Sequence, residues 1–187
     1  MTGAPLIIGL TGPNASGKGT VAAMLKSRGF KYHSLSDIVR EEALSEGLTT
    51  GRDHLIATGN RIRREGGPSA LALRILPRLG SRDVVDSIRN PAEVQALRVG
   101  LAGFMLLGVT ASPEVRYQRA VDRGRTGDAT SGLDAFLQKE AEENGSDPTS
   151  QQLEATLKLS DHILENNGSI DTLESELNAL LAKLGAL

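Results

Sequence analysis

The chain predicts an α/β protein: a five-stranded parallel sheet with helices on both faces, in three layers. Two observations carry this. Short apolar runs alternate with helical periods along all 187 residues. The first run, Leu6-Ile7-Ile8-Gly9-Leu10, leads into Gly12-Pro13-Asn14-Ala15-Ser16-Gly17-Lys18-Gly19-Thr20 and then a helix, which is the phosphate-loop pattern GxxxxGK in its strand–turn–helix context.

Taken in order, Leu6 to Leu10 reads as the first strand, and the helix from Lys18 stops near Arg28-Gly29, a natural C-cap. Phe30 to Leu35 is a short strand, and Ser36-Asp37 caps a helix over Ile38 to Ser45. Gly47 to Thr50 breaks it, an arginine-rich helix covers Arg52 to Glu65, and Gly66-Gly67-Pro68 breaks again. Ser69 opens a helix with Leu71, Leu73, Ile75 and Leu76. Strands follow at Asp83 to Ile88, Phe104 to Val109 and His162 to Glu165. Helices start at Pro91, Pro113, Leu133 and Ile170, and one more follows the turn Gly145-Ser146-Asp147-Pro148. In such a sheet a ligand sits beyond the carboxyl ends of the strands.

The chemistry follows from the loop. Glycines let backbone N–H groups close around an anion, and the helix starting at Lys18 adds its positive end. The backbone from Gly12 to Thr20 (Gly12, Asn14, Ala15, Ser16, Gly17, Lys18, Gly19, Thr20) is therefore expected to cradle a nucleoside triphosphate, with Lys18 exposed and supplying the charge. Gly19 follows the lysine directly, so the hydroxyl that faces Mg2+ falls one place later, at Thr20. Asp86 closes an apolar strand, where a carboxylate can hold the hydrated ion. Arg40 and Arg89 each lie just past a strand's carboxyl end and can converge on a second phosphate, so Asp37, Arg40 and Arg89 are the candidate acceptor-binding residues.

Composition bounds the rest. There is no cysteine, so disulfides, thiolate nucleophiles and thiolate zinc sites are excluded. No apolar run is long enough to cross a membrane, and a cytoplasmic protein is expected. All 15 arginines lie in residues 1–125, which carry 18 basic and 11 acidic side chains; residues 126–187 carry 3 and 12. With a pI near 5.9 and 3% aromatics, a nucleic-acid surface is not expected. His33, His54 and His162 lack metal-ligand spacing, so His33 and His162 read as packed strand histidines, and Glu41-Glu42 and Glu142-Glu143 as solvated helix faces.

With these residues in view, the chain resembles the P-loop nucleoside-monophosphate kinases, whose fold is that of the P-loop NTPases. Gly-Lys-Gly-Thr has the order found in adenylate kinase. Ser36-Asp37-Ile38-Val39-Arg40 is similar to the segment whose arginine grips the acceptor phosphate. Asp86-Ser87-Ile88-Arg89 is similar to Asp-Gly-x-Pro-Arg, with Ser87 in the glycine's place and no proline before Arg89. Arg119 and Arg123 resemble the pair that opens the lid, one covering adenine and the other reaching the transferring group, with Arg125 a further candidate. Asn166-Asn167-Gly168-Ser169 resembles the adenine loop of dephospho-CoA kinase and deoxynucleotide kinases, which points to Asn167. Phe136-x-x-x-Glu140-x-x-Glu143 is also closer to those kinases, whereas Thr58 to Arg64 does not match the adenylate kinase helix pair.

The resemblance implies one kinase domain, with core 1–43, 69–123 and 151–187, an acceptor-binding insert 44–68, and a lid 124–150 with glycine hinges and few apolar side chains to fasten it. It implies ATP and Mg2+, a small nucleotide-like acceptor, neither nucleic acid nor membrane as partner, and a monomer or homodimer. The catalytic set is Lys18, Arg89, Arg119 and Arg123. Dephospho-CoA kinase, or a regulatory ATP-binding module or ATPase, is the alternative.

Overall fold

A computed structural model of the chain describes residues 5–124 and 131–186. Five parallel strands, β1 (Leu6–Thr11), β2 (Lys31–Ser34), β3 (Arg82–Asp86), β4 (Phe104–Thr110) and β5 (His162–Glu165), are ordered β2-β3-β1-β4-β5. β1 is central: Ile8 pairs Val84 of β3 on one side and Met105 of β4 on the other. β1 is thus paired on both sides, which suits a strand that runs apolar from Leu6 to Leu10.

Alternation along β1 sends Ile8 and Leu10 to one face and Ile7 to the other. On the first face lie α1 (Lys18–Ser27) and α9 (Ile170–Lys183), packing Val21, Leu25, Leu173, Leu177 and Leu181 against β1, β4 and β5. On the second lie α2 (Leu35–Ser45), α3 (Arg52–Gly66), α4 (Ala70–Ile75) and α5 (Pro91–Gly100), which bury Leu35, Ile62, Leu71, Ile75 and Leu97. The result is the three-layer α/β/α sandwich expected. Each fully buried Leu or Ile contributes about 1.5–3 kcal/mol of transfer free energy, so a core with 3% aromatics suffices.

Three boundaries differ from expectation. Ser34, not Ser36-Asp37, caps α2: its backbone is extended and its Oγ accepts the Ser36 N–H at 3.2 Å. β2 ends there because its ladder with β3 stops at Ser34↔Asp86. β3 ends at Asp86 rather than Ile88, because Ser87 takes φ 66° and turns the chain. The position held by glycine in the resembling motif thus adopts the left-handed backbone that glycine favours. His162 is exposed, on the edge strand, so the packed reading holds only for His33, which lies against Asp83 at 3.5 Å. Burial pushes the His33 imidazole below its ordinary value.

α6 (Pro113–Arg123) follows β4, α7 (Leu133–Glu143) lies beyond it, and α8 (Leu153–Leu157) precedes β5. Phe136 of α7 is 2% exposed and meets Tyr117 of α6 edge-on at 6.0 Å. Of the few large apolar side chains in that segment, Phe136 is thus buried as an anchor for α7.

Candidate functional site

The loop after β1 is shaped by three left-handed residues, Gly12 (φ 140°), Ala15 (φ 58°) and Gly17 (φ 104°). A Cβ at Gly12 would collide with the Val109 carbonyl, and one at Gly17 with Asn166 Nδ2, so both glycines are sterically required. At Gly19 a Cβ would meet nothing, so glycine there is not dictated by space. Ser16 Oγ is buried inside the loop with no hydrogen-bond partner among the described residues.

Lys18 does not stand exposed. Its Nζ donates to the carbonyls of Gly12 (2.7 Å) and Pro13 (2.8 Å), and burial pushes its pKa down to about 8, opposed in part by Asp86. The ammonium therefore sits over the loop mouth, satisfied for now by loop oxygens.

Beside the loop a cavity of about 310 Å3 runs from Lys18 and Asp86 to α2, α3 and α7. It brings together Asp37, Arg40, Asp86 and Arg89, four residues selected from sequence. Asp86 Oδ1 accepts the Ser87 N–H at 2.6 Å and Oδ2 the Tyr32 hydroxyl at 3.2 Å. Burial and Asp86 together push the Tyr32 phenol up to about 12, which keeps it a donor. Arg40 pairs with Asp37 one turn back. Arg89 reaches Gln151 Oε1 at 3.5 Å, and burial together with nearby Arg52 presses its guanidinium below the ordinary value.

The other selected residues surround the loop. Arg119 donates to the Asn166 carbonyl (3.0 Å) and to its Oδ1 (3.3 Å), while Asn166 Nδ2 donates to the Ser16 carbonyl (2.9 Å). Arg123 donates to Asn14 Oδ1 at 3.0 Å. Asn167, selected from sequence, instead accepts the Ser112 N–H at 2.7 Å and braces the start of α6, while its neighbour Asn166 is the buried contact to the loop. Thr20 lies in the first turn of α1, outside the cavity lining. Arg125 falls outside the described residues. Among the described residues no group of three or more His, Cys, Asp or Glu is placed to hold a metal ion.

Several site residues went unselected. Arg116, 6% exposed, donates through Nη1 to both oxygens of Glu140, at 2.6 and 2.7 Å, and Glu140 also accepts the Asn14 N–H at 3.1 Å. Arg52 makes a two-nitrogen fork onto Glu143, at 2.7 and 2.8 Å, so Glu143 faces the cavity and is no solvated side chain. Buried Arg63 pairs with Glu93, whose Oε2 accepts the N–H groups of Arg89 (2.9 Å) and Asn90 (3.1 Å). One signal was present: Glu140 and Glu143 share a helical face with Phe136, and an apolar anchor at that spacing turns the acids inward.

A phosphate loop at the carboxyl edge of a parallel sheet, opening onto an arginine-lined cavity, defines a P-loop protein of kinase-like fold. The chain belongs to an AAA domain family, matched over residues 8–147, and to the UPF0200 proteins. It is 36% identical to the UPF0200 protein PAE1629 of Pyrobaculum aerophilum, over 95% of this chain and 98% of that one. Among solved structures it resembles the shikimate kinase of Bacteroides thetaiotaomicron (TM-score 0.62, 14% identity, 97% of this chain and 99% of that one). It also resembles a gluconokinase of Sinorhizobium meliloti (TM-score 0.55, 20% identity, 98% and 95%). At these identities the likeness is one of fold. Among the described residues no helix is long and apolar enough to cross a membrane.

Proposed function

We propose that this chain is an ATP-dependent small-molecule kinase whose acceptor is a nucleoside monophosphate or a similar nucleotide. The observation that carries this reading is the cavity itself. One space joins the loop lysine to Arg40 and Arg89, so a donor triphosphate and an anionic acceptor would meet inside it. Two phosphate-bearing ligands repel each other, and a ring of guanidinium forks is the economical way to hold both.

In this reading the backbone N–H groups of Gly12 to Thr20 and the Lys18 ammonium hold the triphosphate. Arg119 and Arg123, which already flank the loop, close over the donor. Arg40, positioned by Asp37, and Arg89 hold the acceptor, residues 44–68 form its wall, and residues 124–150 cover the site. An acceptor oxygen attacks the γ-phosphorus, the bond to the β–γ bridging oxygen breaks, and ADP leaves with its electron pair. Positioning and charge neutralisation supply the rate, so no protein nucleophile is needed. Asp86 and the Thr20 hydroxyl would hold Mg2+, which supplies charge to the phosphates; Asp86 suits this role because its carboxylate lines the cavity wall together with Lys18.

The test is a phosphotransfer screen with Mg·ATP against all nucleoside monophosphates and dephospho-CoA, followed by chromatography of products. Transfer to a nucleoside monophosphate supports the reading, and transfer to dephospho-CoA reassigns the acceptor. ATP hydrolysis that no acceptor accelerates would replace the kinase with an ATPase or nucleotide switch.

A further inference from the structure

The Glu140 carboxylate is held as a phosphate would be held. It accepts a phosphate-loop N–H, that of Asn14, on Oε1, and both its oxygens accept from one guanidinium nitrogen, Nη1 of buried Arg116. A loop amide plus a guanidinium N–H set converging on the oxygens of one anionic group is a donor set that also suits a phosphate oxyanion. Arg116 is itself fixed: its Nε donates to the Ala111 carbonyl at 3.2 Å, and its guanidinium lies 5.5 Å from the Phe136 ring. Burying such a cation is costly without a counter-charge, and in the ligand-free chain Glu140 supplies one from a different helix.

We propose that Asn14 N–H and Arg116 form an oxyanion subsite for the donor phosphates facing the acceptor cavity, and that Glu140 is an internal stand-in which the donor displaces. The proposal rests on the reading of the loop as a triphosphate site. It adds a phosphate ligand, Arg116, and a competitor, Glu140. A second ion pair on the same helix, Arg52 of α3 on Glu143, ties α7 to the acceptor side, so arrival of the donor loosens a helix that also closes the acceptor wall. Withdrawal of Lys18 onto the carbonyls of Gly12 and Pro13 belongs to the same self-satisfied state.

The experiment is calorimetric titration of inorganic tripolyphosphate, which has no base or ribose, and of a non-hydrolysable Mg·ATP analogue. Glu140→Gln keeps shape and hydrogen bonding but removes the competing charge. It should tighten tripolyphosphate binding about tenfold, since one like charge leaves a partly desolvated site. Glu142→Gln, which removes an equal charge from the exposed face of the same helix, should change it less than about twofold. Arg116→Met should weaken both probes in the wild-type and the Glu140→Gln backgrounds alike. Unchanged or weaker binding in Glu140→Gln would make Glu140 a brace for Arg116 and overturn the proposal while leaving the triphosphate site standing. Failure of both proteins to bind either probe would remove the triphosphate site and the proposal together. Normal binding without phosphotransfer would leave the subsite intact and count only against the kinase.

Discussion

Replacing Arg63 by methionine removes the cation from a pair in which Arg63 is 3% exposed and Glu93 is fully buried. The Glu93 carboxylate would keep the N–H groups of Arg89 and Asn90 but lose two guanidinium contacts, at 2.7 and 2.9 Å. Breaking one side of a buried pair costs about 3–5 kcal/mol, and the two surviving amides place this case near about 3 kcal/mol. For a chain of this length each kcal/mol moves the midpoint by about 2–4 °C, so thermal unfolding followed by circular dichroism should fall by about 6–12 °C. The double variant Arg63→Met/Glu93→Gln removes both charges and should recover more than about 1.5 kcal/mol of that loss, read as the coupling term of a double-mutant cycle. A single-variant shift under about 2 °C, or a cycle that is additive, would refute the argument. The pair would then be solvated, and α3 would not be tied to the segment that carries Arg89.

Four further outcomes follow from the site. Lys18→Ala should bring phosphotransfer to background with the fold intact by circular dichroism, because a charge-assisted contact to the transferring group is worth about 3–4 kcal/mol in the transition state; near-normal turnover would exclude the kinase. Arg89→Ala and Arg40→Ala should raise the acceptor KM while calorimetry shows ATP affinity within about threefold, and the reverse pattern would reassign both arginines to the donor. Burial lowers Lys18 from 10.5 to about 8, so in that window the unfolded chain holds a proton the folded chain has lost, and this group's contribution to stability rises with pH. The midpoint of wild type relative to Lys18→Met should therefore climb from pH 8 to pH 10, and a flat difference would place the amine in water. Finally, amide exchange across Leu133–Glu143 should be slow in the ligand-free protein, given the buried Phe136 and two ion pairs; exchange at intrinsic rates would mean that these contacts do not hold α7.

The sequence made some parts of this legible for physical reasons. A phosphate loop demands glycines and a lysine at fixed spacing, so the loop and the parallel sheet around it could be placed from a nine-residue stretch. Asp86 and Arg89 were equally visible, since a charge at the end of an apolar strand has only the sheet's edge to occupy. What stayed hidden were partnerships. Glu140 and Arg116 are 24 residues apart, Arg52 and Glu143 are 91 apart, and Asn166 lies 150 from Ser16. No local pattern records such pairings, and acids on a short helix look the same whether they face water or a guanidinium. The exposure expected for Lys18 failed for a related reason, because the nearest acceptors for its ammonium are carbonyls of its own loop.

Asn166 has one more consequence. Its amide lies where a side chain at Gly17 would go, and it bonds the Ser16 carbonyl and Arg119 at once. The strut that fixes the curvature of the loop lies 150 residues after it, so synthesis makes the loop long before its brace. A nascent chain that has made β1, β3 and β4 can already form the middle of the sheet, but it carries a loop with one wall missing. The braced form of the loop is thereby deferred until synthesis has passed β5, and a chain cut short before that strand would be left with an unbraced loop.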